Sequence, residues 1–192
     1  MKYYNQLEYP YIPYETDIQT KDSRFHKLTV KEAGCGPCCL CMAVDELTTK
    51  NLPLEHCLNL SRVHGANLEV GTTMEILAPV VAQAFDLQLT LSNNLQEVKE
   101  ALQKGAKVIC NVGGDREGYI GVFSHCGHFI LLVSCDEENF CILDPSAKEG
   151  KFSEEGRIGK VIQKGDFLYC AHDIVHKDVE NRNPGYYIFA RR

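Results

Sequence analysis

Residues 34–44 of this 192-residue chain read Gly34-Cys35-Gly36-Pro37-Cys38-Cys39-Leu40-Cys41-Met42-Ala43-Val44. Cys35 stands between two glycines, just before a proline, at the first turn of a predicted helix. Unpaired N–H groups and the positive end of the helix dipole favour a thiolate there, the form of cysteine that attacks a carbonyl carbon. Far downstream, Gly127-His128-Phe129 opens an apolar run, and a second apolar run ends in Asp144-Pro145. A strand-borne histidine facing that thiol would serve as base, and an aspartate accepting its Nδ1–H would hold the tautomer and support the imidazolium. Cysteine, then histidine, then aspartate is the chain order of a thiol hydrolase.

The elements that must position these groups follow from pattern. Pro37 suits a first helical turn, where its missing N–H is not needed. The apolar residues after it predict a buried helix over 36–47. Pro53 opens a second helix to 63, ended by Gly65; a third begins after Gly71, with Thr72 or Thr73 as N-cap, and runs to 85. Residues 87–91 alternate as a strand, and Asn93 or Asn94 caps a helix to 104 with Leu95, Val98 and Leu102 on one face. Strands are predicted at 107–112, 128–134 and 140–143, the last two joined across a turn at 136–139, so that His128 and Asp144 become neighbours. Residues 147–165 are polar and glycine-punctuated, and strands resume at 166–170 and 186–190. Residues 1–30, rich in Tyr, Pro and charge, read as an extended arm packed over the active-site cleft. Helices first and antiparallel strands second is the α+β pattern, in one domain spanning 1–192.

Composition removes several classes of function. A formal net charge of −6 with no Lys/Arg cluster leaves no field for nucleic acid or an anionic membrane. No run approaches the roughly 18 apolar residues of a membrane span, and residues 1–6 lack an apolar signal core, so the chain reads as cytosolic. The ten cysteines read mostly as reduced, buried small hydrophobes, with Cys57, Cys110, Cys135, Cys141 and Cys170 in the core. A monomer or weak homo-oligomer is expected.

Other chemistries compete for the same residues. Cys35-Gly36-Pro37-Cys38 copies the thioredoxin string, which would make Cys38 a resolving thiol, or half of a disulfide that switches the nucleophile off. Against redox catalysis, residues 28–33 are too short and too charged for the buried strand that must precede such a motif. Zinc could use Cys35, Cys38, Cys39 and Cys41 with Cys126 and His128, but only one of the two separated clips of a structural site is present. His125 is a competing base placed in a loop. His26, His56, His64, His172 and His176 lack any partner pattern. A binding module that keeps the fold without turnover is the remaining alternative.

Taken in order, Gly34-Cys35-Gly36-Pro37, Gly71-Thr72, Gly127-His128-Phe129 and Asp144-Pro145 resemble the C39-like papain-fold cysteine peptidases, relatives of the domains that cut leader peptides from bacteriocin precursors. The resemblance spans about residues 3–146. It implies a papain-like α+β fold, an N-terminal helical half whose nucleophile helix packs on a C-terminal antiparallel sheet, with a cleft between the halves. It implies Cys35 as nucleophile, His128 as general base and acid and Asp144 as orienter. The substrate would be a peptide or protein, and no metal or organic cofactor is required. Tyr4-Asn5-Gln6 matches the family's Tyr-Asn-Gln, which implies an oxyanion role for Gln6. Two departures stand out. About six positions before the cysteine, where papain-type enzymes place a glutamine, this chain has Thr29, leaving Gln6 or the Cys35 backbone N–H as oxyanion donor. After Gly36-Pro37 it has Cys38 where the family has Thr, Ser or Ala.

Overall fold

Along the strands Lys107–Val112, His128–Cys135 and Tyr186–Arg191 most side chains are buried, so the sheet they build has to be covered on both faces. The computed structural model, which describes residues 2–18 and 26–192, shows how. A single 3-10 turn at Gln6–Glu8 leads to β1 (Pro13–Thr16), which pairs antiparallel with β2 (Lys27–Thr29). Then come α1 (Val30–Ala33), α2 (Cys35–Leu47), α3 (Leu54–Val63), α4 (Met74–Ala84), β3 (Leu87–Ser92), α5 (Leu95–Gln103) and β4 (Lys107–Val112). The chain continues with β5 (His128–Cys135), β6 (Asn139–Leu143), β7 (Val161–Lys164), β8 (Phe167–Ala171), α6 (His172–Val179) and β9 (Tyr186–Arg191). Seven strands form one sheet in the order β3-β9-β4-β5-β6-β8-β7, with every neighbouring pair antiparallel.

The period-2 alternation sorts the sheet's side chains into two cores. Ile109, Leu131, Leu143, Tyr187 and Phe189 join the core shared with α2, α3 and α4. Val108, Cys110, Ile130, Leu132 and Ile188 join a second core with α5 and α6. The expected helical half packed on an antiparallel sheet is present, and α5 and α6 in addition cover the far face of the sheet. Helix α2 is buried at every residue from Gly36 to Val44, as a helix apolar all round must be. Gly34 lets α1 run directly into it: a Cβ there would clash with Val30 Cγ1 and lie 2.6 Å from Val30 O.

Local signals placed most elements. Asn94, one of the two predicted caps, accepts from the N–H groups of Gln96 and Glu97. Thr73 is the N-cap residue of α4, while Thr72 spends its hydroxyl on Tyr14 at 2.8 Å. Three expectations need correction. Residues 147–185 also hold β7 and α6, which short strands and a polar helix did not reveal. The N-terminal arm is more than a cover laid over the cleft: Tyr4 and Tyr14 are core residues, whereas Tyr11 is exposed. Cys135 and Cys141 are half-buried rather than core, while Cys57, Cys110 and Cys170 are buried. The expected arm lies partly at 19–25, outside the described residues. Among the described residues no helix is long and apolar enough to cross a membrane.

Helix α6 holds the 113–127 loop that leads into His128. The fully buried Asp178 carboxylate accepts from the N–H groups of Val122 and Phe123 and from the Tyr119 hydroxyl, and its main-chain carbonyl accepts from Gly113 N. Asp178→Ala strands those buried donors, and urea denaturation is expected to show a loss of about 3 kcal/mol.

Candidate active site

Helix α2 presents Cys35 as its first residue, half-buried, with the helix body fixed in the core behind it. His128 opens β5, opposite Val112 of β4. Its imidazole and the Cys35 side chain line one cleft, and its charge bears on the thiol; on the other side Nε2 lies 2.7 Å from Asp144 Oδ1. From the sequence alone, Asp144 is expected to take the Nδ1–H. The structure gives it Nε2 instead, which leaves Nδ1 as the nitrogen for the thiol.

The charges of this line support one another. Burial alone would push the Cys35 thiol up; the hydrogen bond and charge of His128, then the Phe129 and Gly36 amides, outweigh it and hold the thiol below its usual value. Burial likewise opposes the imidazolium, yet the charge and hydrogen bond of Asp144, followed by those of Cys35, raise His128 to about 9. Asp144 is fully buried, and against that desolvation Lys151 first and His128 second hold its carboxyl well below the usual carboxylate range.

An ionised carboxylate without solvent needs its lone pairs filled. Oδ1 accepts from His128 Nε2, from the Ser146 N–H at 2.8 Å and from Ser146 Oγ at 3.1 Å. Oδ2 accepts from Lys151 Nζ at 2.6 Å. Sequence reasoning singled out neither Ser146 nor Lys151. They stand two and seven residues past Asp144 in a stretch without periodicity, and closeness in sequence is the one signal that could have found them.

The N-terminal arm clasps the same turn. The Tyr3 hydroxyl donates to Asp144 O at 2.5 Å, Asn5 Nδ2 to Ala147 O at 2.8 Å and Gln6 N to Pro145 O at 2.7 Å. Gln6 is thereby carried to the cleft that holds Cys35 and His128. Its Nε2 donates to Lys31 O at 2.8 Å, which orients the amide and leaves a second N–H. The cleft is about 580 Å³ in volume, with Thr72, Glu75 and Asn111 among its walls.

The competing residues go elsewhere. His125 is exposed and lies between Asp115 and Glu154, 2.8 Å from each, and these hydrogen bonds raise its pKa. Cys38 is buried, and burial pushes its thiol well up. Cys39 and Cys41 are buried too, and Cys126 is exposed in the loop. Among the described residues no three His, Cys, Asp or Glu side chains are gathered to hold a metal ion. His172 packs against Phe140 with ring centroids 4.4 Å apart, and His176 Nδ1 lies 2.8 Å from the Tyr186 hydroxyl.

No family model and no curated protein matches this sequence. Solved structures do match it in shape. The peptidase domain of Streptococcus ComA, a bi-functional ABC transporter involved in quorum sensing, is similar with a TM-score of 0.54 at 13% identity, over 93% of this chain and 99% of that one. A Bacillus anthracis protein described as a C39-like peptidase is similar with a TM-score of 0.55 at 11% identity, over 84% of this chain and 90% of that one. Among the described residues, six α-helices around a seven-stranded antiparallel sheet thus give this chain the papain-like fold of the C39 peptidase domains.

Proposed function

We propose that this protein is a cysteine peptidase that hydrolyses peptide bonds by nucleophilic acyl transfer, acting on a peptide or protein substrate laid in the cleft. The observation that carries this reading is that Cys35 and His128 open on one cleft, with His128 Nε2 2.7 Å from the buried Asp144 carboxylate behind it. The C39 peptidase folds of the similar structures support the same reaction class.

In the proposed reaction the Cys35 thiolate attacks the scissile carbonyl carbon. A C–S bond forms, and the carbonyl π pair moves onto oxygen. The Cys35 backbone N–H, at the helix start where such groups lack an intrahelical partner, and the second Nε2–H of Gln6 receive that oxyanion. Collapse breaks the C–N bond, and His128 gives its proton to the departing amine. Neutral His128 then takes a proton from water as the water attacks the thioester, which returns Cys35 as thiolate and His128 as imidazolium. Asp144 keeps the imidazole in place through both halves of the cycle.

The reactive state is the thiolate–imidazolium pair. Activity is therefore expected to rise as pH passes the lowered value of Cys35 and to fall as pH passes about 9, where His128 loses its proton. A pH profile of kcat/KM on a cleaved library peptide checks both limbs. Cys35→Ala and His128→Ala are each expected to reduce kcat/KM by about 10⁴-fold, with no further loss in the double variant. Turnover at wild-type rate in Cys35→Ala would overturn the reading.

Gln6→Ala should cost about 10²-fold in kcat with little change in KM, because the interaction is made with the developing oxyanion. Cys38→Ser is expected to retain turnover; a redox protein working through Cys35 and Cys38 would lose it.

A further inference from the structure

A peptidase site of this kind needs a thiolate, an imidazolium and an orienting acceptor. When the acceptor is an ionised aspartate, the buried charges sum to minus one, and the excess bears directly on the thiolate. Asp144 is fully buried and His128 nearly so, and water cannot screen that excess. Lys151 is the group that offsets it. It is a buried lysine with Nζ 2.6 Å from the Asp144 oxygen that His128 does not use.

The same ammonium reaches the other oxygen through Ser146. Nζ lies 2.7 Å from Ser146 Oγ and 3.5 Å from Ser146 O. A lysine ammonium only donates, so Ser146 Oγ accepts from it and turns its own proton away, toward Asp144 Oδ1 at 3.1 Å. Ser146 Oγ also lies 3.0 Å from His128 Nε2. With the serine proton committed to Asp144, that nitrogen meets only acceptors and keeps its hydrogen, and Nδ1 is left to exchange a proton with Cys35.

Lys151 is well held for this role. Arg157 Nη1 donates to its carbonyl at 3.4 Å, its own N–H donates to Lys148 O at 3.2 Å, and its Nζ sits 5.7 Å from the centre of the Phe152 ring. Of the remaining titratable groups around the line, Tyr3 bonds the Asp144 carbonyl and Cys39 of α2 feels the Asp144 charge. Across a small cavity beside Ser146 and Lys151 stand His125, Lys148, Glu154 and Arg157, of which Glu154 is paired with both His125 and Arg157. Among the described residues, Lys151 is thus the cation in ion-pair contact with the Asp144 carboxylate on the side away from His128.

We infer that Lys151 is a positioning residue of the active site: it balances the Asp144 charge and directs the Ser146 proton, so that Cys35 is held as a thiolate against a correctly oriented His128. This rests on the reading of Cys35 as nucleophile.

The test is the rate of iodoacetamide alkylation of Cys35 in the full chain, assigned by mass spectrometry, from about pH 4 to pH 10. In Lys151→Met the acid-side midpoint should move up by about one pH unit, roughly tenfold less thiolate at any pH below it. The double variant Asp144→Asn/Lys151→Met, neutral again, should return toward wild type. A merely structural lysine would alter stability or maximal rate and leave the midpoint in place. If Lys151→Met does not fold, the comparison is Asp144→Asn with the double variant, where retaining the lysine should give the lower midpoint.

Coincident midpoints in either comparison overturn the role of Lys151. A wild-type Cys35 without selective reactivity below its free-thiol range overturns this inference together with the nucleophile. A reactive Cys35 that responds to Lys151 but cuts no peptide sustains the inference and refutes the peptidase.

Discussion

The burial of one ionised carboxylate constrains more of this molecule than any other single feature. Asp144 has no solvent, so four hydrogen bonds to its oxygens must come from protein: one from His128, two from Ser146 and one from Lys151. Its main chain is held as well, by Tyr3 and by the turn to Ala147. Segments far apart in sequence therefore converge on one residue at the end of β6. Losing any one of them would leave a buried charge partly unpaired, which is among the costlier defects a fold can carry.

The rest of the architecture keeps that convergence rigid. A sheet buried on both faces fixes β5 and β6, and with them the relative positions of His128 and Asp144. Helix α2, enclosed by the sheet, α3 and α4, sets Cys35 from the opposite side. The loop before His128 could have been the weak link, since it contains Gly113, Gly114, Gly118 and Gly121 and little regular structure. Asp178 removes that freedom by gathering its amides onto α6, and Arg157 adds a bond from its Nε to Gly121 O at 2.8 Å. Reacting groups on regular elements, tied by buried polar contacts, are what preorganised chemistry requires.

Legibility in the sequence varied with the range of the interaction. The helix from Cys35 to Leu47, the β5–β6 hairpin and the strand Lys107–Val112 were readable because their apolar pattern and turn residues act within a few positions. Helix α6 was missed because His172, Asp173, His176, Lys177 and Asp178 make its composition polar. Its anchor, Asp178, is buried only because the 113–127 loop folds over it. His125 looked like a rival base until Asp115 and Glu154 were found on either side of its ring.

The sequence by itself determined which residues could do the chemistry. A cysteine at a glycine-flanked helix start, a histidine opening a strand and an aspartate closing the next are local arrangements, and each is set by backbone propensities over a handful of residues. The tertiary structure alone decided how they are placed: Nε2 of His128 turned to Asp144, Gln6 carried to the cleft by an arm bonded to Pro145, and Lys151 paired with the buried carboxylate. Those outcomes depend on which polar groups lose their water together. Desolvation is a property of the packed chain, and no periodicity along the sequence records it.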